Sequence, residues 1–381
     1  MIPPPFRCQS CAAGALHEIP GFAALPRVTS DSKPFRAGGR LFVCTQCALV
    51  QKAADPKWLA EIGEIYRDYE MYHQSESHDQ PVFDPASGRP SGRCEVLSRR
   101  LRASGLLPES GTLLDVGAGA GAMLTAFSAA RPGWTLHGLD LDDRRRAMLE
   151  AIPRFERLHT VPPERLDRRF DLVTLIHSLE HFTEPLDMLR RLRERLEPQG
   201  ALFVEVNDVD RMPFDLVVAD HLCHFTPATL AGMTTRAGLQ PALLAEDWVR
   251  KELSLLARPL AGAAAPQPDP SEAIARLQAE VAWLRRMLDA AREAARAGRF
   301  GIFGTSIAAT WLACALGDAV DFFVDEDEAR QGREHLGRPI LAPAQAAPGS
   351  TVYLAFVREA ADAILRRLGG LPLRFAVPDP A

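Results

Sequence analysis

No apolar stretch in this chain approaches the roughly 18 residues that a membrane-crossing helix needs. The opening MIPPPFRCQSC also lacks a basic segment followed by an apolar run. The expectation is a cytoplasmic protein with no membrane partner. Positive charge is scarce as well: 44 Lys and Arg stand against 49 Asp and Glu, a formal net charge of -5. The arginines are spread along amphipathic stretches rather than gathered into one block, so nucleic acid is not an expected partner. Lysine occurs only at Lys33, Lys52, Lys57 and Lys251, a bias we attribute to genomic base composition. Repeats of fixed period and long low-complexity tracts are missing too, which excludes solenoids and disordered chains.

What remains is an ordinary globular composition, 47% hydrophobic and 24% charged, in 381 residues, long enough for two or three packed units. Residues 1–78 are rich in Cys, Pro and Gly near their start and end in the aromatic segment YRDYEMYHQS. Residues 79–257 alternate apolar, strand-like runs with helical patterns, the signature of a doubly wound parallel sheet. A linker over 258–270, rich in Ala and Pro, leads to a third unit over 271–381. There Ser271 is placed to cap a helix with apolar positions Ile274, Leu277, Val281, Leu284 and Leu288. The pattern is too short for a coiled coil and predicts packing against a neighbouring unit. Short strands in RFGIFG, VDFFVD, STVYLAF and LRFAV then suggest a smaller α/β domain.

LLDVGAGAGAML, residues 113–124, reads as a strand, three alternating glycines and a helix. Gly117, Gly119 and Gly121 let the backbone turn sharply and approach a ligand closely. Asp115 ends the strand, and Asp140 in HGLDLD ends the next one, nineteen positions past Gly121. At that spacing a carboxylate accepts hydrogen bonds from ribose hydroxyls. FDLVTLIHSLEHFTEP adds a buried strand closing on His177, Glu180 and His181, and LEPQGALFVEVND another strand closing on Asn207. The order resembles class I S-adenosylmethionine (SAM)-dependent methyltransferases over about 150 residues. A cationic sulfonium tolerates the acidic Asp115, whereas a pyrophosphate would be repelled. The resemblance implies SAM as cofactor, with His177 among its contacts.

Cys8 and Cys11 form one C-x-x-C pair and Cys44 and Cys47 a second, the donor set of a closed tetrahedral zinc with a structural role. A dithiol redox centre is the alternative. Cys94, Cys223 and Cys314 lie on apolar patterns and are expected to be small core residues.

Together CQSC, CTQCALVQ, YRDYEMYHQS, DVGAGAG, LEHF, EVND with ADHLCHFTPATL, and FGTS with FFVDEDEARQG resemble the C-methyltransferases of nucleotide-linked deoxysugars over nearly the whole chain. That family has a zinc module, a central SAM domain and a carboxyl-terminal Rossmann-like domain. The resemblance implies His221 as general base, with Asp220 beside it and His181 as oxyanion donor or second base. It also implies Tyr72 and Ser75, rather than Tyr66, at the site, and Gly304 and Thr305 in a cradle for the sugar nucleotide. The chain departs from the family's Tyr-His-Glu-His segment: Val218 and Ala219 replace the Tyr and first His, and Asp220 the Glu. That departure supports an alternative, methylation of an oxygen or nitrogen on another small metabolite. RNA methylation is disfavoured by the net charge and by IHSLEH in place of an Asn-Pro-Pro-aromatic motif. A non-catalytic sugar-nucleotide-binding scaffold is the reading outside enzymology.

Overall fold

The computed structural model of the protein describes residues 6–67, 79–84, 89–260, 264 and 266–378. Its amino-terminal part consists of β1 (Leu16–Glu18), β2 (Arg27–Val28), β3 (Pro34–Phe35), β4 (Leu41–Cys44), β5 (Val50–Lys52) and helix α1 (Pro56–Arg67). β1, β4 and β5 pair antiparallel, and β5 is completed on its free edge by residues Cys223–His224 from far along the chain. The expected boundary at residue 78 is therefore crossed by a strand pairing.

A short ladder of β6 (Pro81–Asp84) and β7 (Arg89–Gly92) leads through α2 (Arg93–Ala103) into the central layer. This contains β8 (Gly111–Val116), α3 (Ala122–Ala130), β9 (Trp134–Leu139), α4 (Arg146–Glu150), β10 (Phe155–His159), β11 (Phe170–Ile176), α5 (Pro185–Arg193) and β12 (Leu196–Asn207). It continues with β13 (Cys223–His224), α6 (Pro227–Arg236), β14 (Leu239–Ala245) and β15 (Glu252–Pro259). Seven of these strands form one sheet in the order β10-β9-β8-β11-β12-β15-β14. The first five run parallel and the β15–β14 hairpin is antiparallel. Leu113, Leu114 and Val116 on β8 and Leu172, Val173 and Leu175 on β11 are all buried. Such continuous apolar runs belong to strands covered by helices on both faces. Chain order reverses between β8 and β11, so the loops after these strands diverge and open a crevice at their carboxyl ends. This α/β fold with a mixed seven-stranded sheet is consistent with the Rossmann-like methyltransferase layer expected from the sequence.

The third unit comprises α7 (Pro270–Ala295), β16 (Phe300–Phe303), α8 (Ile307–Leu316), β17 (Phe322–Val324), β18 (Glu334–His335), β19 (Arg338–Leu341), β20 (Thr351–Tyr353), α9 (Arg358–Leu368) and β21 (Arg374–Ala376). Its sheet order is β18-β19-β17-β16-β20-β21. α7 is capped by Asp269, whose Oδ1 accepts from Ser271 N at 2.8 Å, not by Ser271 as expected; Pro270 then occupies the first helical turn. Leu277, Val281, Leu284 and Leu288 are buried in one cluster with Phe22, Leu41 and Val43 of the amino-terminal part and Phe300 and Tyr353 of the third. α7 is thus a wedge between units. The linker is shorter than 258–270, because β15 extends to Pro259. No helix among the described residues is long and apolar enough to cross a membrane.

Candidate active site

The glycine loop sits at the head of β8, where the crevice opens. Gly117, Gly119 and Gly121 have φ of 77°, 51° and 80°, in the left-handed region that side chains disfavour. A Cβ on Gly117 would stand 3.0 Å from Ser178 Cβ, and one on Gly121 2.6 Å from Ile152 Cδ1. Asp140 closes the loop: its Oδ2 accepts from Gly119 N at 2.8 Å and its Oδ1 from Leu141 N at 2.7 Å. Leu141, which sequence reasoning passed over, is a large apolar side chain left 86% exposed beside that carboxylate. Asp115 is buried, accepts from Thr174 Oγ1 at 2.6 Å, and is pushed up to about 7 by burial.

The loop after β11 connects this crevice to a histidine cluster. Ser178 Oγ donates to Val116 O at 3.0 Å, while three residues on His181 meets His221 edge to face with ring centroids 4.7 Å apart. His221 Nδ1 lies 2.7 Å from Asp215 Oδ1, and His224 Nδ1 2.6 Å from Asp215 Oδ2. Asn207 Nδ2 donates to Asp215 Oδ1 at 2.8 Å. Burial pushes Asp215 up, but the two imidazoles outweigh it and hold the carboxyl well below its usual range. For His221 burial pulls the pKa down, yet the carboxylates of Asp215, Glu180 and Asp220 prevail and raise it. His224, more strongly desolvated and beside Lys52, falls to about 4. The result is one strengthened imidazole base oriented by a buried carboxylate, the arrangement that fixes tautomer and ring plane in general-base sites.

Several expected residues have other duties. His177, expected at the cofactor, has its two ring nitrogens on carboxylates: Nδ1 at 3.3 Å from Glu180 Oε1 and Nε2 at 3.0 Å from Glu252 Oε2. Burial and Arg93 lower its pKa, but Glu252 and Glu180 carry it up to about 9. Asn207, expected at the substrate, orients Asp215. Asp220 is fully buried, accepts from Ser30 N at 2.8 Å and from Ser30 Oγ, and stands 3.4 Å from His181 Nδ1. It thus joins Ser30 to His181. Tyr72 and Ser75 lie outside the described residues. Tyr66, passed over in their favour, places its Oη 3.0 Å from His181 Nδ1.

The four expected thiolate donors converge. Cys8 and Cys47 Sγ are 3.5 Å apart, as are Cys11 and Cys44 Sγ, and the four sulfurs lie within 4.8 Å of one another. The two knuckles match: Ala12 and Ala48 each have φ of 59°, and Ser10 N and Gln46 N point at Cys8 and Cys44 Sγ. Such edge lengths suit a tetrahedron of sulfurs about a metal at roughly 2.3 Å. Cys94 and Cys223 are buried core residues, and Cys314 is half-buried.

Gly304 has φ of 81°, and its neighbour Thr305 borders a cavity of 180 Å³ lined also by Ser32, Lys33, Arg330, Arg333 and Glu334. Arg330 Nη1 donates to Thr305 Oγ1 at 2.8 Å. A second cavity, of 240 Å³, lies on the β9–β10 edge, where His137 and His159 stack beside Arg168.

Residues 90–244 match a family model described as a methyltransferase domain. Over 140 residues the chain is 30% identical to the ubiquinone biosynthesis O-methyltransferase of Haemophilus ducreyi, covering 33% of this chain and 58% of that protein. Over 182 residues it is 28% identical to the protein of the same name from Xanthomonas axonopodis pv. citri, covering 41% and 73%. The chain spans about half the length of the first curated relatives it matches. Among solved structures, the CcbJ methyltransferase from Streptomyces caelestis aligns at 18% identity with a TM-score of 0.36, covering 44% of this chain and 94% of that one.

Proposed function

We propose that the protein transfers a methyl group from SAM to a carbon of a nucleotide-linked keto-deoxysugar, with His221 as general base. The observation that carries this reading is the His221–Asp215–His224 relay, joined to the glycine loop by the single turn from Ser178 to His181. Asp140 has acceptor capacity left for ribose hydroxyls, and Leu141 offers its exposed face to the adenine. SAM supplies an electrophilic methyl on a cationic sulfur. His221 takes the proton from the carbon beside the ketone, and Asp215 stabilises the imidazolium that results. His181, its ring held by Tyr66 and Asp220, faces the oxygen on which charge collects; burial and His221 lower its pKa and keep it neutral. General-base help of this kind contributes about 10²- to 10⁴-fold.

A nucleotide-linked acceptor is favoured by the basic cavity. Ser30 holds Asp220, and Lys33, three residues on, lines the cavity with Arg330 and Arg333; three residues of chain reach at most about 11 Å. Zinc in the four-cysteine site is part of the same reading, supported by the matched knuckles and by a donor set of four thiols.

The second reading, methylation of an oxygen on a small metabolite, draws on the names of the curated relatives and on Val218 and Ala219. Incubating the protein with SAM and a nucleotide-linked 4-keto-6-deoxysugar separates the two. A product one methyl heavier whose new methyl resonates as a carbon-bound methyl in the ¹³C spectrum supports carbon methylation; a methoxyl resonance, or no product, refutes it.

A further inference from the structure

We propose that Gln51 and Lys52 tie the four-cysteine knuckles to the loop carrying His221, so that the metal module positions the base of the adjoining domain. This rests on His221 being that base. β5 runs between the knuckle strand β4 and β13, the strand that follows His221. Gln51 Nε2 donates to Arg7 O at 3.1 Å and Gln51 Oε1 accepts from Gln9 N at 2.8 Å, gripping the backbone on both sides of Cys8. The next residue holds the other end. Lys52 Nζ donates to Val218 O and, at 2.8 Å, to His221 O, while Lys52 N donates to Leu222 O at 2.8 Å. Successive strand residues face opposite sides of a sheet, so one strand is pinned to the knuckle on one side and to the His221 loop on the other.

Both residues are fully buried. An apolar side chain at position 52 would pack without desolvating an amine, so an amine there needs acceptors that repay its burial. The acceptors are the carbonyls that set the path of residues 218–221. Burial brings its pKa down to about 7, with Asp215 and Asp220 opposing, so the Lys52 amine keeps its donors without placing a firm positive charge beside His221. Further grips on this loop come from the same part of the chain: Trp58 Nε1 donates to Ala219 O at 3.0 Å, Ala219 N to Val28 O at 2.7 Å and Ser30 N to Asp220 Oδ1 at 2.8 Å. On the other side the loop meets the turn after β11, where Leu222 N donates to Glu180 O at 2.7 Å and His181 Nδ1 lies 3.2 Å from Asp220 O. Lys52 touches no reacting atom in this account; it is a positioning residue.

The test uses the full chain labelled with ¹⁵N-histidine. The His221 Nδ1–H bonded to Asp215 is observed far downfield and assigned with H221Q, and SAM affinity is measured by calorimetry. In K52M, in Q51L and in the parent protein stripped of metal with a chromophoric chelator, the signal is expected to broaden into exchange with water. SAM affinity should stay within about threefold of the parent, while kcat/KM falls 10- to 100-fold. Q51L leaves Lys52 in place, so it decides the matter should K52M fail to fold. A His221 signal that persists unchanged in Q51L and after metal removal overturns the proposal. Absence of SAM binding or methyl transfer in the parent overturns the functional reading instead, and leaves the signal measurable.

Discussion

Replacing Asp215 by Asn is the most revealing single change in the molecule. The carboxylate accepts from His221 and His224 at 2.7 and 2.6 Å and from Asn207 at 2.8 Å. An amide has one acceptor oxygen, so at least one imidazole N–H loses its partner, at about 1.5–3 kcal/mol for a bond to a charged group. The larger effect falls on the reaction. The imidazolium formed when His221 takes a proton loses its counter-charge, and a rate loss of about 10³-fold, or ~4 kcal/mol, is expected. The pH profile gives the sign. Asp215 raises the His221 pKa against burial; without the carboxylate burial prevails and the pKa falls. The acid limb of kcat/KM therefore moves to lower pH in D215N even as the plateau drops. Methyl transfer to a nucleotide-linked keto-sugar, followed from pH 5 to 9 with SAM affinity as control, reads both effects. A limb that stays in place, or a rate within about threefold of the parent, would refute the relay.

Further outcomes follow from the same geometry. Gly117→Ala puts a side chain at φ 77° with its Cβ 3.0 Å from Ser178 Cβ, and should weaken SAM binding about tenfold by calorimetry, given a left-handed cost of about 1–2 kcal/mol. Tyr66→Phe removes the hydroxyl from His181 and should lower kcat about tenfold without moving SAM affinity; an unchanged kcat excludes Tyr66 from the site. Cys44→Ser should abolish stoichiometric zinc, read by elemental analysis, and lower Tm by about 5 °C or more. His137 has its pKa pulled down to about 4, first by burial and then by Arg168. Between that value and its ordinary 6.5 the unfolded chain holds more protons than the folded one, so stability rises with pH across this window. The contribution, up to ~3 kcal/mol, is complete above the window and lost as pH falls through it. His137→Phe should accordingly gain stability relative to the parent between pH 7 and pH 4.5 in urea unfolding; an unchanged difference contradicts this.

The glycine loop was legible because its constraints are local: a strand, three positive-φ positions and an acidic residue at a fixed spacing are written in consecutive residues. The cysteine pairs were legible for the same reason. Asp215 was not, although His221 and His224 stand only six and nine residues on, because the spacing fits no local helix or strand pattern; nor was Lys52, which meets Val218 and His221 only when Cys223–His224 pairs with β5. In hindsight an acid in the apolar run MPFDLVV, and a rare lysine beside CALVQ, were signals of buried charge that must find partners. His177 and Asn207 sit at strand ends where ligand contacts occur, but the neighbouring carboxylates claimed them. The cap of α7 falls on Asp269 rather than on the expected Ser271 because Pro270 suits the first helical turn.

The central claim is that the crevice between β8 and β11 takes SAM through the glycine loop and Asp140. Calorimetric titration of SAM into the protein and into D140N tests it most directly. One site per chain is expected, weakened about 10- to 100-fold in D140N by the loss of charged acceptors for ribose hydroxyls. Equal affinity in both proteins, or no heat of binding in either, contradicts the account.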